Sequence, residues 1–239
     1  MLYAKKVLNK AIPLAIASFL TISPGCSWAD TRIEGQQPAN VPANAAWNFD
    51  DVPVGKLPPG WNAQATNPKG PLAIWQVIRD ATAPSSDHVL AMTNSNHTSG
   101  GTFNLCWTNT ASFLNGEIEV RFKAVKGEED QGGGVIWRAL DKDNYYIARF
   151  NPLEDNFRLY TVRNGHRKTL ADARIALSAG RWHSLRIVQN GKHYEGYLDR
   201  KKLLDGTDGL FSKPGGVGVW TKADAVTSFD DFSVRHTQK

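Results

Sequence analysis

The residues of this sequence best suited to chemistry are arginines, tyrosines and an asparagine that recur at alternate positions of short apolar segments. In the segment 145–151 (YYIARFN), Tyr145, Arg149 and Asn151 alternate with apolar residues. Alternate residues of a β-strand share one face of a sheet. Aromatic rings stack on the apolar C–H faces of sugars, and guanidinium and amide groups bind hydroxyls. The pattern therefore predicts a carbohydrate-binding sheet face. Its members are Arg121, Arg138, Tyr145, Arg149, Asn151, Arg158 and Tyr160.

The same alternation has a second interpretation that needs no ligand. Half-exposed antiparallel sheets normally alternate apolar and polar residues, and the polar ones form cross-strand charge pairs beside solvent. The sequence leaves both interpretations open. Alanine substitution of Tyr145, Arg149 and Tyr160 separates them, because only a binding face loses affinity for glycans when its rings and donors are removed.

Carboxylates that could catalyse hydrolysis are few. Glycoside hydrolysis needs two carboxyl groups about 5–9.5 Å apart across the scissile bond. Glu128, Glu129 and Asp130 lie just before a run of glycines, and Glu154 and Asp155 lie in a predicted turn. We interpret both groups as solvated loop charges rather than as ligands of a metal or substrate. The histidines lack metal-ligand spacing, and no nucleophile-elbow, P-loop or dinucleotide motif occurs, so no catalytic residue is assigned.

The elements that must position these side chains are β-strands. Segments of strand length show period-two alternation or β-branched and aromatic enrichment, bounded by Gly, Asn, Asp or Pro. They are 72–78, 88–92, 116–124, 133–138, 145–151, 156–162, 182–189, 193–199, 216–220 and 228–234. The dipeptides Asn164-Gly165 and Asn190-Gly191 predict hairpin turns, because both residues tolerate positive φ. No segment shows a sustained helical repeat. The sequence therefore predicts an all-β fold, a single antiparallel β-sandwich domain of the jelly-roll type.

Several motifs resemble one superfamily of such sandwiches. Residues 180–187 (GRWHSLRI), the turn at 190–191 and residues 197–199 (YLD) are similar to a strand pair of laminin-G and concanavalin A-like jelly rolls. With NFDD near the start and DNYYIARFN in the middle, the chain most resembles exported bacterial domains grouped with the 3-keto-disaccharide hydrolase-like proteins. The resemblance covers residues 47–235 and is specific for fold, since the superfamily includes lectins, glucanases and non-catalytic modules.

The resemblance implies a carbohydrate-interacting protein that binds a glycan or oligosaccharide. One alternative is a glycoside hydrolase-like enzyme acting on keto-disaccharides or related sugars, and a second is a laminin-G-like adhesion module. Laminarinase-type glucanases of the superfamily carry an acid-x-acid-x-x-acid strand. Glu117 and Glu119 begin such a pattern, but Phe122 stands where the last acid is required. We therefore favour binding over hydrolysis.

The resemblance also implies a structural calcium ion where the first and last strands of many such jelly rolls run together. Asp50 follows the first predicted strand and Asp231 lies in the last, so their carboxylates are the candidate ligands. The alternative is that these acids cap strand ends and pair with Lys or Arg. A melting temperature that is unchanged by calcium or by a chelator would argue against the site.

The start of the chain has the features of an export signal. Lys5, Lys6 and Lys10 precede an apolar run at 11–22, which is shorter than the roughly 20 residues that a membrane span needs. The small residues of the motif SWA then predict cleavage. Residues 1–29 are thus predicted to be the signal peptide of an exported bacterial protein, periplasmic or secreted, without a transmembrane span.

A competing processing site would leave the protein anchored by lipid. The motif SPGC resembles a lipoprotein box that would leave Cys26 lipidated, but Ser23 stands where Leu is usual. We favour the soluble product. In both cases Cys106 has no intramolecular disulfide partner, and its place in the apolar stretch FNLCW predicts a small buried hydrophobe.

The remaining organisation follows from composition and charge. Residues 30–45 lack periodicity and predict a flexible linker, 46–235 form the domain, and 236–239 are a tail. With 239 residues, 41% hydrophobic and 21% charged, the composition is that of a globular protein, and two cysteines exclude a disulfide-rich scaffold. Loss of the signal peptide, which has three lysines and no acid, lowers the formal charge from +5 to +2. The other basic residues are not clustered, which argues against a nucleic-acid partner.

Overall fold

The computed structural model describes residues 44–95 and 100–237, and this part of the chain contains fifteen β-strands and no helix. The strands are β1 (Asn44–Trp47), β2 (Asn62–Thr66), β3 (Ile74–Arg79), β4 (His88–Asn94), β5 (Phe103–Phe113), β6 (Gly116–Lys126), β7 (Gly133–Asp141), β8 (Asn144–Asn151), β9 (Asn156–Arg163), β10 (His166–Arg174), β11 (Trp182–Asn190), β12 (His193–Leu198), β13 (Lys201–Thr207), β14 (Gly215–Lys222) and β15 (Val226–His236). The described residues accordingly hold no helix long and apolar enough to cross a membrane.

The described strands begin and end close to the predicted domain limits. They run from Asn44 to His236, whereas the domain was expected at 46–235. The predicted signal peptide at 1–29, Cys26 with its competing lipoprotein box, and most of the predicted linker lie outside the described residues. Those expectations stay predictions.

Two antiparallel sheets form a sandwich. Sheet A has the strand order β13-β12-β11-β6-β15-β4-β3, and β1 also pairs with β15. Sheet B has the order β10-β9-β8-β7-β14-β5-β2. The chain passes repeatedly from one sheet to the other, for example from β4 through β5 to β6, as it does in jelly rolls. This arrangement confirms the predicted antiparallel β-sandwich.

The two hairpins predicted from Asn-Gly dipeptides both form. At the β9–β10 turn, Asn164 and Gly165 have φ of 49° and 76°, as a two-residue turn with positive φ at both positions requires. At the β11–β12 turn, Asn190 instead pairs with His193, so the loop begins at Gly191, which has φ of 58°. The second turn is therefore displaced by one residue along the chain.

The main core lies between the two sheets. The alternating residues Ile118, Val120 and Phe122 of β6 are fully buried, and the Phe122 ring lies 6.1 Å from that of Phe150 in sheet B. Each buried side chain of this size contributes about 1.5–3 kcal/mol to stability. Cys106 of β5 is also fully buried in this core and forms no disulfide, which confirms its prediction as a buried hydrophobe.

Sheet B is curled, and its outer face forms a concave surface that we call the cup. The two edges of the sheet meet at one end, where the Asn67 amide after β2 donates to the Gly165 carbonyl in the β9–β10 turn at 2.9 Å. From β10, the Arg167 guanidinium reaches across to within 5.1 Å of the Phe103 ring in β5. A second apolar cluster fills the cup. It consists of Phe103, Leu105, Ile136, Ala139, Tyr145, Ile147, Tyr160, Val162 and Trp220.

Candidate functional site

Most of the predicted binding residues come together on the cup side of sheet B. Strand β8 supplies Tyr145, Arg149 and Asn151, and β9 supplies Arg158 and Tyr160. The antiparallel register places Arg149 directly opposite Arg158. Directly opposed residues on neighbouring strands share a face. The structure therefore brings these five residues onto one surface.

Arg149 is the centre of this surface. Its side chain is only 1% exposed. One terminal nitrogen donates to Oδ1 of Asn156 at 2.9 Å, and the other donates to Oε2 of Glu154 at 3.1 Å. The Nε atom of Arg149 is buried without a hydrogen-bond partner. The guanidinium thus keeps one donor that the described residues leave unused.

Glu154 is an anion held by several donors rather than a freely solvated loop charge. Its Oε2 atom accepts hydrogen bonds from Asn156 at 2.8 Å and from Arg158 at 3.2 Å, besides that from Arg149. Partial burial raises the pKa of Glu154, but these hydrogen bonds and the two guanidinium charges outweigh it and lower the pKa to about 2. Our expectation of a solvated charge is wrong for this residue, although its side chain remains 41% exposed.

Asp130 also corrects the expectation of a solvated acidic loop. It is buried, its Oδ1 atom accepts a hydrogen bond from Asn151 at 3.0 Å, and its Oδ2 atom lies 2.8 Å from the Lys222 ammonium. Burial raises the pKa of Asp130, and the charges of Arg149 and Lys222 offset part of this effect. Sequence reasoning assigned Asp130 to solvent and did not identify Lys222, because they come from the β6–β7 loop and from β14, far from β8 in the chain.

Asp224 explains how the β6–β7 loop delivers Asp130. The Asp224 carboxylate accepts hydrogen bonds from the consecutive backbone N–H groups of Glu128, Glu129 and Asp130, at 2.7 to 3.2 Å. Partial burial raises the pKa of Asp224, but these N–H groups lower it overall. After the loop, Gly132 has φ of 85°, and a Cβ there would lie 2.3 Å from the Phe150 carbonyl oxygen. The glycine run was thus the sequence signal for a loop packed against β8.

An indole and a guanidinium flank a glycine on the same surface. The register aligns Trp220 of β14, Gly134 of β7 and Arg149 of β8 in one row across sheet B. Gly134 has no side chain, and a Cβ there would lie 1.8 Å from the Ala148 carbonyl oxygen. The buried hydroxyl of Tyr160 lies beside the Arg158 guanidinium, where burial lowers the pKa of the arginine and the hydroxyl raises it. One unpartnered polar atom, Arg149 Nε, therefore belongs to this surface.

Tyr145 has a structural role inside the cup. It is fully buried, and its hydroxyl lies 2.9 Å from Thr66 Oγ1 and accepts a hydrogen bond from Trp220 Nε1 at 3.2 Å. Burial raises the pKa of this phenol above its ordinary value. Since its hydrogen-bonding capacity is used within the protein, Tyr145 supports the surface instead of contacting a ligand, which corrects its place among the predicted binding residues.

Arg138 is corrected in the same way. Its buried guanidinium donates to the backbone carbonyls of Leu114, Phe211 and Gly191 at 2.7 to 3.0 Å, and its backbone has φ of 48°. Three loops are therefore joined by one side chain. Arg121, in contrast, lies in β6 of sheet A, on the other side of the sandwich from the cup.

The calcium prediction concerns the place where β1 and β15 run together, and its ligand set is incomplete there. Strand β1 pairs with β15 as expected, with Trp47 opposite Phe232, and Asp50 Oδ1 is buried without a partner. Asp231 is exposed, and the neighbouring Asp230 is the buried acid, with its oxygens bonded to Ser85. One orphaned carboxylate oxygen fits a cation, so calcium stays a prediction.

A different group has the spacing of a metal site. Within the described ranges, His193, Glu195 and Asp205 are the only such cluster of three ligating side chains. The Lys202 ammonium lies 2.7 Å from Glu195 and 2.5 Å from Asp205 and so occupies the place of a cation. This cluster is an ion-pair network between β12 and β13.

Comparison with known proteins finds one relative in sequence and several in fold. No family model matches the chain. A levanase of Bacillus subtilis (strain 168) is 26% identical over 112 residues, which cover 46% of this chain and 16% of the levanase. The match thus spans a small part of the levanase.

Solved structures share the fold more broadly. The carbohydrate-binding module CBM66 from Bacillus subtilis superimposes with a TM-score of 0.56 at 20% identity, covering 73% of this chain and 94% of the module. A GH16 protein from a Bacteroides ovatus mixed-linkage glucan PUL gives a TM-score of 0.56 at 11% identity, covering 80% and 98%. At these identities the likeness shows the sandwich fold alone.

Proposed function

We propose that this protein binds carbohydrate at the Arg149 surface of sheet B. The observation that carries the proposal is the buried, unpartnered Nε atom of Arg149, which lies in one row of sheet B with Gly134 and Trp220. A buried polar group without a partner costs about 1–3 kcal/mol. The hydroxyl oxygens of a sugar can accept a hydrogen bond from such a group, so a bound sugar would remove this cost.

The similarity to a module that binds carbohydrate supports the same function. The CBM66 module and the levanase are named for carbohydrate binding and for action on levan, and this chain resembles both in fold or sequence. The arrangement of arginine, carboxylates and amides around an aromatic floor is what sugar recognition requires. Export of the protein by its predicted signal peptide is part of the proposal, since glycans are then available to it.

Hydrolysis is the second candidate, and the two carboxylates bear on it. Asp130 and Glu154 both lie near Arg149, as a pair of catalytic acids would. A general acid must carry a proton to donate. Glu154 has a pKa of about 2 and stays ionised. Burial raises the pKa of Asp130, but both of its oxygens accept hydrogen bonds within the protein, from Asn151 and Lys222. The site therefore favours binding over the 3-keto-disaccharide hydrolase activity that the sequence resemblance implies. The adhesion alternative rests on the resemblance alone.

One paired assay separates binding from turnover. Levan, ordinary disaccharides and 3-keto-disaccharides are incubated with the full chain, and products are followed by chromatography. Retention by levan or another polysaccharide is measured by affinity electrophoresis. We expect retardation without product release. Release of monosaccharides without retardation would contradict the proposal and favour the enzyme.

A further inference from the structure

We propose that the outer face of sheet A carries a second site, an anion-binding groove that takes a sulfate or carboxylate group of a charged glycan. We call it the arginine groove. It is lined by Arg121, Arg181 and Arg200, with Trp182 and Asp199, and has a volume of about 540 Å³. That the anion is carried by a glycan rests on the proposed function, whereas the anion site itself does not.

The three arginines reach the groove from different elements. Arg121 lies in the middle of β6, opposite the small and buried Ser184 of β11, which leaves room beside its guanidinium. Arg181 directly precedes β11, and Arg200 lies in the turn between β12 and β13. The guanidinium groups therefore converge because of tertiary structure, which explains why the sequence shows no basic cluster.

None of the three guanidinium groups has an acidic partner among residues 44–95 and 100–237. The ion pairs within 4.0 Å in that part of the chain do not include Arg121, Arg181 or Arg200. Glu119 and Asp231 line a neighbouring hollow with Arg121 but form no such pair with it. Uncompensated guanidinium groups facing one groove create a positive potential that attracts anions.

Both oxygens of the one carboxylate in the groove already have partners within the protein. Asp199 Oδ2 lies 2.7 Å from Nδ1 of His183, and its Oδ1 accepts the backbone N–H of Ser184 at 2.8 Å. The other ring nitrogen of His183 faces the Ser178 carbonyl oxygen at 3.0 Å. Three guanidinium groups against this one carboxylate leave the groove with an excess of positive charge.

The turn that presents Arg200 is strained. Leu198 pairs with Lys201, so Asp199 and Arg200 form a two-residue turn, and they have φ of 47° and 67°. The second position of such a turn favours glycine, which Gly165 supplies in the β9–β10 turn. A non-glycine residue there costs about 1–2 kcal/mol. Strained residues cluster at functional sites, and here the strained residue points to the groove.

Trp182 forms a fixed wall of the groove. Its Nε1 atom donates to Thr82 Oγ1 at 3.1 Å, and the Lys123 ammonium lies 5.1 Å from the ring. Arginine forks match the paired oxygens of sulfate and carboxylate in a bidentate manner, which a lysine cannot do. A rigid wall beside three such forks suits the anionic group of a sugar chain.

The test compares dextran sulfate with neutral dextran on the full chain by titration calorimetry. We expect dextran sulfate to bind and dextran not to bind, and about 1 M salt, where the Debye length is about 3 Å, to abolish the binding. Arg200→Gly removes the backbone strain of the turn and should preserve folding. We expect Arg200→Gly and Arg121→Ala each to weaken the binding of dextran sulfate about tenfold. Arg163→Ala, an exposed arginine of β9 that lies outside the groove, removes one charge as the matched control and should bind as the unaltered protein does.

Three results would overturn the proposal. The first is that Arg200→Gly, Arg121→Ala and Arg163→Ala all bind dextran sulfate equally well. The second is that the binding survives high salt, and the third is that a DNA oligonucleotide binds as tightly as dextran sulfate. Arg149→Ala is included in the same series. If dextran sulfate does not bind the groove but Arg149→Ala loses binding of neutral glycans, the groove is refuted and the proposed function stands. If dextran sulfate binds as expected but Arg149→Ala keeps its binding of neutral glycans, the proposed function is refuted and the groove stands.

Discussion

Arg149 is a buried cation that the protein satisfies only in part. Asn156 and Glu154 take its terminal nitrogens, and its Nε atom keeps a free hydrogen-bond donor. The cost of burying such a group is offset only when its remaining donor finds an acceptor. Sequence alternation identified Arg149 but not Glu154 as its partner, because the pair depends on the close turn between β8 and β9.

Glu154 makes the stability of the protein depend on acid pH. Its folded-state pKa of about 2 lies below the ordinary value of 4.5, so its contribution to stability is complete above pH 4.5 and is lost as pH falls towards 2. We expect Glu154→Gln to lower the urea midpoint near neutral pH, and this difference to vanish near pH 2. Glu128→Gln, an exposed acid in the β6–β7 loop, controls for the loss of one carboxylate. A difference that is constant with pH would contradict the assigned ion pairs.

Cys106 should be chemically inert in the folded protein. Complete burial in β5 raises the pKa of its thiol, which suppresses the reactive thiolate. In a Cys26→Ser background Cys106 is the only thiol. We expect a disulfide-exchange reagent to label it only after unfolding in guanidinium chloride, and rapid labelling of the native protein would refute this.

At the scale of elements, the long-range contacts of the β6–β7 loop are the part of the site that the sequence could not reveal. Strands β8 and β9 were predictable because alternation fixes which side chains share a face. The burial of Asp130 depends instead on Asp224, which holds three amides of that loop from the β14–β15 connection. No local pattern encodes a contact between residues so far apart in the chain.

Removal of the Asp224 carboxylate should therefore weaken glycan binding as well as stability. Asp224→Ala leaves three N–H groups without their acceptor, and we expect a loss of about 1–3 kcal/mol in unfolding free energy. Glycan affinity should fall because Asp130 is no longer held beside Asn151 and Lys222. Glu128→Ala changes the charge of the same loop and should preserve both properties. Unaltered affinity in a folded Asp224→Ala protein would show that the loop does not shape the site.

The pairing of β1 with β15 gives the calcium prediction its test. Asp50 and Asp231 flank this pair, and an ion that binds only the folded protein stabilises it by an amount that grows with the logarithm of its free concentration. We expect calcium to raise the melting temperature relative to a chelator, and Asp231→Asn to reduce the shift. Equal melting temperatures with calcium and with chelator would remove the site.

At the scale of the whole molecule, the fold was predictable from the sequence. The residues of the proposed binding face were predictable only in part. Period-two segments and Asn-Gly turns indicated two antiparallel sheets, which the structure confirms. The curl of sheet B was not predictable, because it depends on contacts such as that of Asn67 with Gly165. Because of this curl, Tyr145 is buried and bonded to Thr66 and Trp220, whereas the sequence predicted that it contacts a ligand.

The two proposed sites lie on the outer faces of opposite sheets. The cup belongs to sheet B and the arginine groove to sheet A, with the core between them. Substitutions in one should therefore act independently of substitutions in the other, since distant sites that share no partners are usually additive.

The most direct test of carbohydrate binding at Arg149 is a glycan array probed with the full chain and with two arginine variants. We expect the unaltered protein and Arg163→Ala to bind the same set of neutral glycans, and Arg149→Ala to lose about tenfold or more in affinity for that set. Circular dichroism of Arg149→Ala establishes that the variant is folded. An unchanged glycan profile in folded Arg149→Ala would contradict the assignment of the site.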